Sequence, residues 1–267
     1  MLQSRTFFII YSLVFCSLSV SAQPSAVTEF NRIANQKGKL IFCDSFKYGW
    51  EKQWMLDGEE ATVVTDAGKL NFSAGPDSRN NAHHAVLWTK KVFQGDIRVD
   101  FDFIRNDTIP RMVNIIYLFA AGSGKAEFKE DISTWNQLRK IPAMQLYFNH
   151  MNLYHISFAA FDVDNTKADS DYIRFRRYLP ETGNGIIGTE ILPDYLRTRF
   201  FKPFEKHHIC IIRKGNEVKM KVSAKNTEKV YAWNTSSLPP VLSGRIGLRL
   251  MASRASIFSN FKVYQLK

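Results

Sequence analysis

Residues 96–104, DIRVDFDFI, constrain the fold most. Ile97, Val99, Phe101 and Phe103 fall on one face, and Asp96, Arg98, Asp100 and Asp102 on the other. A period of two is a strand signature, and a strand apolar on one side and charged on the other belongs to a sheet with one wet face. The carboxylates of this strand are thereby assigned to solvent rather than to chemistry. A lone strand cannot hold its shape in water, so the rest of the chain must supply partners.

It does so from residue 39 onward. Residues 61–65 and 69–72 read as a hairpin around Asp66-Ala67-Gly68. Further strand-like runs lie at 85–89, 112–121, 208–213, 217–224, 229–233, 244–251 and 258–264. There is no βαβ rhythm and no internal repeat, so the reading is all-β, an antiparallel sandwich or jelly roll formed by a single domain over 39–267. Polar connections at 123–139, 162–171 and 180–204 are long enough to wall a groove. Some helical character is expected within the first, around 128–135. Val27, Phe30 and Ile33 give residues 23–38 a helical spacing, as an external helix or a linker.

Residues 1–22 combine Arg5, an apolar run and a small-residue end at Ser21-Ala22, the pattern of a secretory signal peptide. The expected location is the periplasm or the outside medium, with no membrane insertion after cleavage. Phe15 before Cys16 argues against a lipoprotein site. The remaining cysteines, Cys43 and Cys210, sit in apolar runs and read as buried thiols. No CxxC or HExxH spacing points to zinc. The formal net charge of +11 on an exported chain favours anionic ligands such as acidic glycans over nucleic acid.

Residues 142–161, PAMQLYFNHMNLYHISFAAF, place His, Tyr, Asn and Gln among apolar positions. The stretch reads as two strands around a polar turn, followed by the basic strand YIRFRRY at 172–178. By alternation Gln145, Tyr147 and Asn149 share a face, His155 and Ser157 oppose the apolar set Tyr154, Ile156 and Phe158, and Arg174 and Arg176 align with Tyr172 and Tyr178. Asn114 could join from a neighbouring strand. His84 is a candidate for the rim, and Trp88 a surface on which a sugar ring could stack. Asp162, Asp164, Asn165, Asp169 and Asp171 could hold calcium, but the loop lacks the glycine and closing glutamate of an EF-hand; no cofactor and no other metal is expected.

The opening Phe42-Cys43-Asp44-Ser45-Phe46 and the closing strands at 244–249 and 260–264 resemble the terminal strands of concanavalin A-like jelly rolls. His84-Ala85-Val86-Leu87-Trp88-Thr89, Phe93-Gln94-Gly95-Asp96-Ile97, Tyr147-Phe148-Asn149, Tyr154-His155-Ile156-Ser157 and Arg176-Arg177-Tyr178, in that order, resemble the bacterial DUF1961 (YesU-like) family. The resemblance implies a concanavalin A-like jelly roll with a carbohydrate groove. It also implies a carbon–oxygen lyase that acts by β-elimination on uronic-acid glycans of the ulvan or pectin kind, as a polysaccharide lyase or an oligosaccharide dehydratase.

Such chemistry needs a cation on the C6 carboxylate, a base for the C5 proton and an acid for the departing oxygen. His155 and Tyr147 are the expected base and acid, in either order. Arg174 or Arg176 would bind the carboxylate, and Asn149, Gln145, Asn114, His84, Trp88 and Ser157 would line the site. A jelly-roll glycoside hydrolase would need a carboxylate pair that no strand motif supplies. A non-catalytic carbohydrate-binding module is the other alternative.

Overall fold

The computed structural model describes residues 25–267. The expected signal peptide and Cys16 lie outside the described residues. Among the latter no helix is long and apolar enough to cross a membrane.

Among the described residues, sixteen strands follow a helix, α1 (Ala26–Ala34). They are β1 (Lys39–Asp44), β2 (Trp54–Asp57), β3 (Thr62–Asp66), β4 (Lys69–Ser73), β5 (Ala85–Thr89), β6 (Phe93–Gln94), β7 (Ile97–Arg105) and β8 (Asn114–Gly122). A second helix, α2 (Met144–His150), precedes β9 (Met151–Ala160), β10 (Tyr172–Tyr178), β11 (Glu190–Leu196) and β12 (Lys206–Lys214). The chain closes with β13 (Glu217–Ala224), β14 (Thr227–Asn234), β15 (Ser243–Leu250) and β16 (Ala255–Gln265).

All pairings are antiparallel, in two sheets. The first runs β14-β13-β12-β7-β16-β4-β3, with β1 also on β16. The second runs β11-β10-β9-β8-β15-β5-β2, with β6 on β15. Between them lies the main core, fed by alternate residues of every central strand. Val99, Phe101 and Phe103 of β7 meet Ile116 and Leu118 of β8 and Ile156 and Phe158 of β9. The expected hairpin forms as β3 and β4, with Ala67 and Gly68 both at positive φ in its two-residue turn.

Each sheet also has something on its outer face. On the first, Ser25 caps α1 by accepting the Thr28 N–H at 3.2 Å, and the helix lays Phe30 and Ile33 on Cys210, Ile212 and Leu266. On the second, residues 132–150 form a cover made of a 3-10 stretch (Ile132–Arg139) and α2, with a small core of their own beneath.

Several expectations need correction. Residues 144–150 are a helix, not a strand. The same letters carry both periods, for Met144 and Tyr147 at i, i+3 form a helical stripe as readily as Tyr147 and Asn149 form a strand face. The segment has no hydrogen-bonded strand partner, and the helix satisfies its own backbone instead. The loop expected over 180–204 contains β11, an edge strand on β10. Cys210 is buried as expected, but Cys43 is exposed and both are free thiols.

Candidate functional site

Strand register arranges the outer face of the second sheet in rows. One row crosses six strands as Trp88, Gly247, Tyr117, His155, Arg176 and Glu190. The next, on the same face, reads Asp57, Val86, Arg249, Ile115, Ser157 and Arg174. Neighbouring positions in a row are about 5 Å apart, the ladder spacing of a sheet.

The half on β9, β10 and β11 holds a polar chain. The His155 Nδ1 and the Tyr178 Oη share a hydrogen bond of 2.6 Å, and the His155 Nε2 and the Ser157 Oγ share another of 2.6 Å. Burial, with the charges of Arg176, Arg249 and Arg174, pushes the imidazole well below its ordinary pKa, so it is neutral. Burial holds the Tyr178 phenol well above its ordinary value, so it keeps its proton. Arg176 donates to Glu190 at 2.5 Å and to the Thr189 hydroxyl at 3.0 Å, and Arg174 donates to Asp194 at 2.7 Å. His155, Ser157, Arg174 and Arg176 thus come together as alternation predicts.

The other half lies under the cover. The Asp57 carboxylate accepts from Trp88 Nε1 at 2.5 Å, Arg139 Nε at 2.8 Å and Tyr147 Oη at 3.0 Å. Trp88 stacks on Tyr117 and Tyr147, with centroids 5.4 and 6.2 Å away. Gly247 makes room for the indole, since a Cβ there would fall 2.4 Å from its ring. Arg249 lies over the Tyr147 ring at 4.5 Å and donates to the Pro142 carbonyl at 2.6 Å.

Six expected site residues are placed differently. Tyr147 is fully buried and its hydroxyl is bound to Asp57, so it does not stand opposite His155 as an acid. Trp88 is fully buried beneath the cover and offers no open face to a sugar. Gln145 and Asn149 leave the face of Tyr147 because a helix turns about 100° per residue; Gln145 is exposed, and Asn149 lines a separate cavity of about 420 Å³ with His150, Phe128 and Pro180. Asn114 has the parity of Ile116 and Leu118, so it points between the sheets, where its Oδ1 accepts from the Ser256 hydroxyl at 2.8 Å. His84 is buried, accepts the Ala252 N–H at 2.8 Å, and is held neutral by burial and Arg249 with a pKa of about 3.

Sequence reasoning missed Asp57, Tyr117, Arg139 and Arg249, and left Tyr178 outside the site. Arg249 had a signal, because Arg245, Gly247 and Arg249 alternate with Ile246, Leu248 and Leu250. Asp57 had none, as a lone Asp-Gly reads as a turn. In the loop weighed for calcium, Asp171 turns inward to the Arg199 N–H at 3.1 Å. Among the described residues no group of three or more His, Cys, Asp or Glu could hold a metal ion.

This architecture is that of a lectin-like, galectin-like jelly roll. No protein-family model matches the sequence, and no curated protein matches it at a significant level. Among solved structures it is similar to a protein of unknown function with a galectin-like fold from Bacillus subtilis, at 20% identity over 86% of this chain and 97% of that one, TM-score 0.63. A Lotus tetragonolobus seed lectin aligns at 12% identity over 85% and 98% of the two chains, TM-score 0.54. A legume lectin-like domain from Entamoeba histolytica aligns at 7% over 82% and 92%, TM-score 0.54. At these identities the likeness defines the fold.

Proposed function

We propose that the protein is a carbon–oxygen lyase for uronic-acid carbohydrates, working by β-elimination on the outer face of the second sheet. The observation that carries the reading is the chain Tyr178–His155–Ser157 set across from Arg174 and Arg176. His155 is neutral and so has a lone pair to accept a proton, while Tyr178 fixes the other ring nitrogen. The arginines that depress the imidazole also prepare it for an anion. A bound carboxylate offsets their field and restores basicity when substrate is in place.

In this scheme the C5–H of the uronate takes the position of the Ser157 hydroxyl at Nε2. His155 removes the C5 proton, the electron pair forms the C4=C5 double bond, and the C4–O bond breaks. The imidazolium then returns the proton to the departing oxygen, releasing water or a sugar alcohol. One residue acts as base and then acid, and Tyr178 orients it. The lectin names of the structural neighbours support a carbohydrate ligand, and the positive net charge supports an acidic one.

Purified protein incubated with a panel of acidic oligosaccharides should generate ultraviolet absorbance from the conjugated double bond. Mass spectra should show loss of water, or shorter unsaturated products. His155→Ala should lower turnover by about a hundredfold or more, and unchanged turnover in that variant sinks the scheme. A non-catalytic carbohydrate-binding role is the second reading. It is favoured by the engagement of both ring nitrogens of His155 and the ion pairing of Arg174 and Arg176. Affinity without new absorbance or new masses would select it.

A further inference from the structure

Beneath the cover the charges do not balance. Arg139 and Arg249 are both fully buried, and Asp57 is the carboxylate bound there. Asp57 spends both oxygens on Trp88, Tyr147 and one nitrogen of Arg139. Among the described residues, Nη1 and Nη2 of Arg139 and Nη1 of Arg249 have no hydrogen-bond partner. Arg249 is held by the Pro142 carbonyl and by the Met251 sulfur, neither of which carries charge. Burying a cation without a counter-charge is costly, and buried N–H groups without acceptors add to the cost. An anion with two or more acceptor oxygens would remove both penalties.

The cover depends on tertiary contacts for its place. Helix α2 has only seven residues, and its N-cap position is Ala143, with no side-chain cap. So short a helix does not hold itself in water. Its place depends on the small core beneath it and on polar anchors, namely Tyr147 to Asp57, the Pro142 carbonyl to Arg249, and the Tyr117 hydroxyl to the Met144 sulfur at 3.6 Å. Arg139 rides on the cover and Arg249 on β15.

We propose that Arg249, joined by Arg139 when the cover closes, is the receptor for the carboxylate of an acidic sugar, and that residues 132–150 open to admit it. The assignment rests on the reading of the site as one for uronic acids and deepens it. Arg174 and Arg176 already have carboxylate partners on β11, whereas Arg249 and Arg139 keep donors free. Arg249 also stands close enough to His155 for its charge to act on the imidazole, so a carboxylate on Arg249 would place its ring between the cover and the base.

The test uses free D-glucuronate, which binds without a glycosidic bond to break. Calorimetric titration of the wild type should give saturable binding, at least about tenfold tighter than glucose and tighter than glucose 6-sulfate. Arg249→Met, with an unchanged circular dichroism spectrum, should weaken glucuronate by about tenfold or more. In the wild type, glucuronate should slow amide exchange in peptides from 132–150, and glucose should not. Equal affinity for glucose, tighter binding of the sulfate ester, full affinity in a folded Arg249→Met, or no protection of 132–150 each overturns the assignment. If Arg249→Met does not fold, the exchange comparison on the wild type decides alone. Arg249-dependent glucuronate binding with no turnover of any acidic oligosaccharide would remove the lyase and leave the carboxylate receptor standing. Turnover with Arg249-independent binding would do the reverse.

Discussion

Two histidines on opposite sheets show how a strand position sets the charge of the same side chain. His155 is walled in by arginines and kept neutral, whereas His208 faces two aspartates on β7. Its Nδ1 lies 3.1 Å from Asp102 and its Nε2 3.6 Å from Asp100. Hydrogen bonds to Asp100 and Asp102 lift its pKa from 6.5 to about 9. A folded pKa above the unfolded one means that the charged pair stabilises fully below pH 6.5 and is lost as pH rises through about 9. The side chain is 48% exposed, so solvent screening keeps the contribution within about 1 kcal/mol. Urea midpoints at pH 6 and pH 9.5 should therefore fall further in the wild type than in His208→Gln. A parallel fall in both would show that the pair contributes nothing. Gly247→Ala is a second expectation at this scale. The added methyl meets the Trp88 ring at 2.4 Å, and overpacking of this kind costs about 1–3 kcal/mol. A lowered melting temperature with a changed near-ultraviolet tryptophan signal would confirm that the indole had been pushed off Tyr117.

Among elements, the strands were legible in the sequence and the cover was not. β7 alternates from Ile97 to Phe103 and paired as its letters require, and β9 and β10 turned His155, Ser157, Arg174 and Arg176 to one face because their other face is continuous with the inter-sheet core. Residues 144–150 carry no such one-sided constraint. Their apolar side chains satisfy two periods at once, and only the neighbouring aromatic surface of Trp88 and Tyr117 decides between them. Asp57, Arg139 and Arg249 lie far apart in sequence; strand register sets Asp57 and Arg249 on either side of Val86, and the cover brings Arg139 onto Asp57. Asp57 is the anchor of that arrangement. Asp57→Ala would leave the Arg139 guanidinium buried without a counter-charge, a change that typically costs about 3–5 kcal/mol. Urea denaturation should show that loss, and amide exchange in 132–150 should quicken more than in β7. Uniform quickening across the chain would argue that the cover has no separate stability.

For the whole molecule, the sandwich closes around the core between its sheets, and α1 is an addition to its outside. Phe30 and Ile33 are the buried residues of α1, worth at most about 5 kcal/mol together. A chain beginning at residue 38 should still fold to the same sheet content with reduced stability. The deletion should also uncover the Cys210 thiol, which α1 covers together with Ile212. In a chain without residues 1–22, thiol labelling under native conditions should count one reactive cysteine, Cys43, and after removal of α1 it should count two. A single reactive thiol in both would mean that Cys210 is protected by the sheet itself.

The parity of β9 and β10 separates two kinds of information within the same few residues. Tyr154, Ile156, Phe158, Ile173 and Phe175 hold the sheets together, while His155, Ser157, Arg174 and Arg176, interleaved with them, lie on the opposite face of the sheet, away from that core. Mutation can therefore explore new ligands at the outward positions without rewriting the instructions for folding. A library randomised at Ser157, Arg174 and Arg176 alone should keep most members soluble while their preferences diverge. A scaffold that divides its letters in this way can change occupation many times over its descent and still be recognised by its shape.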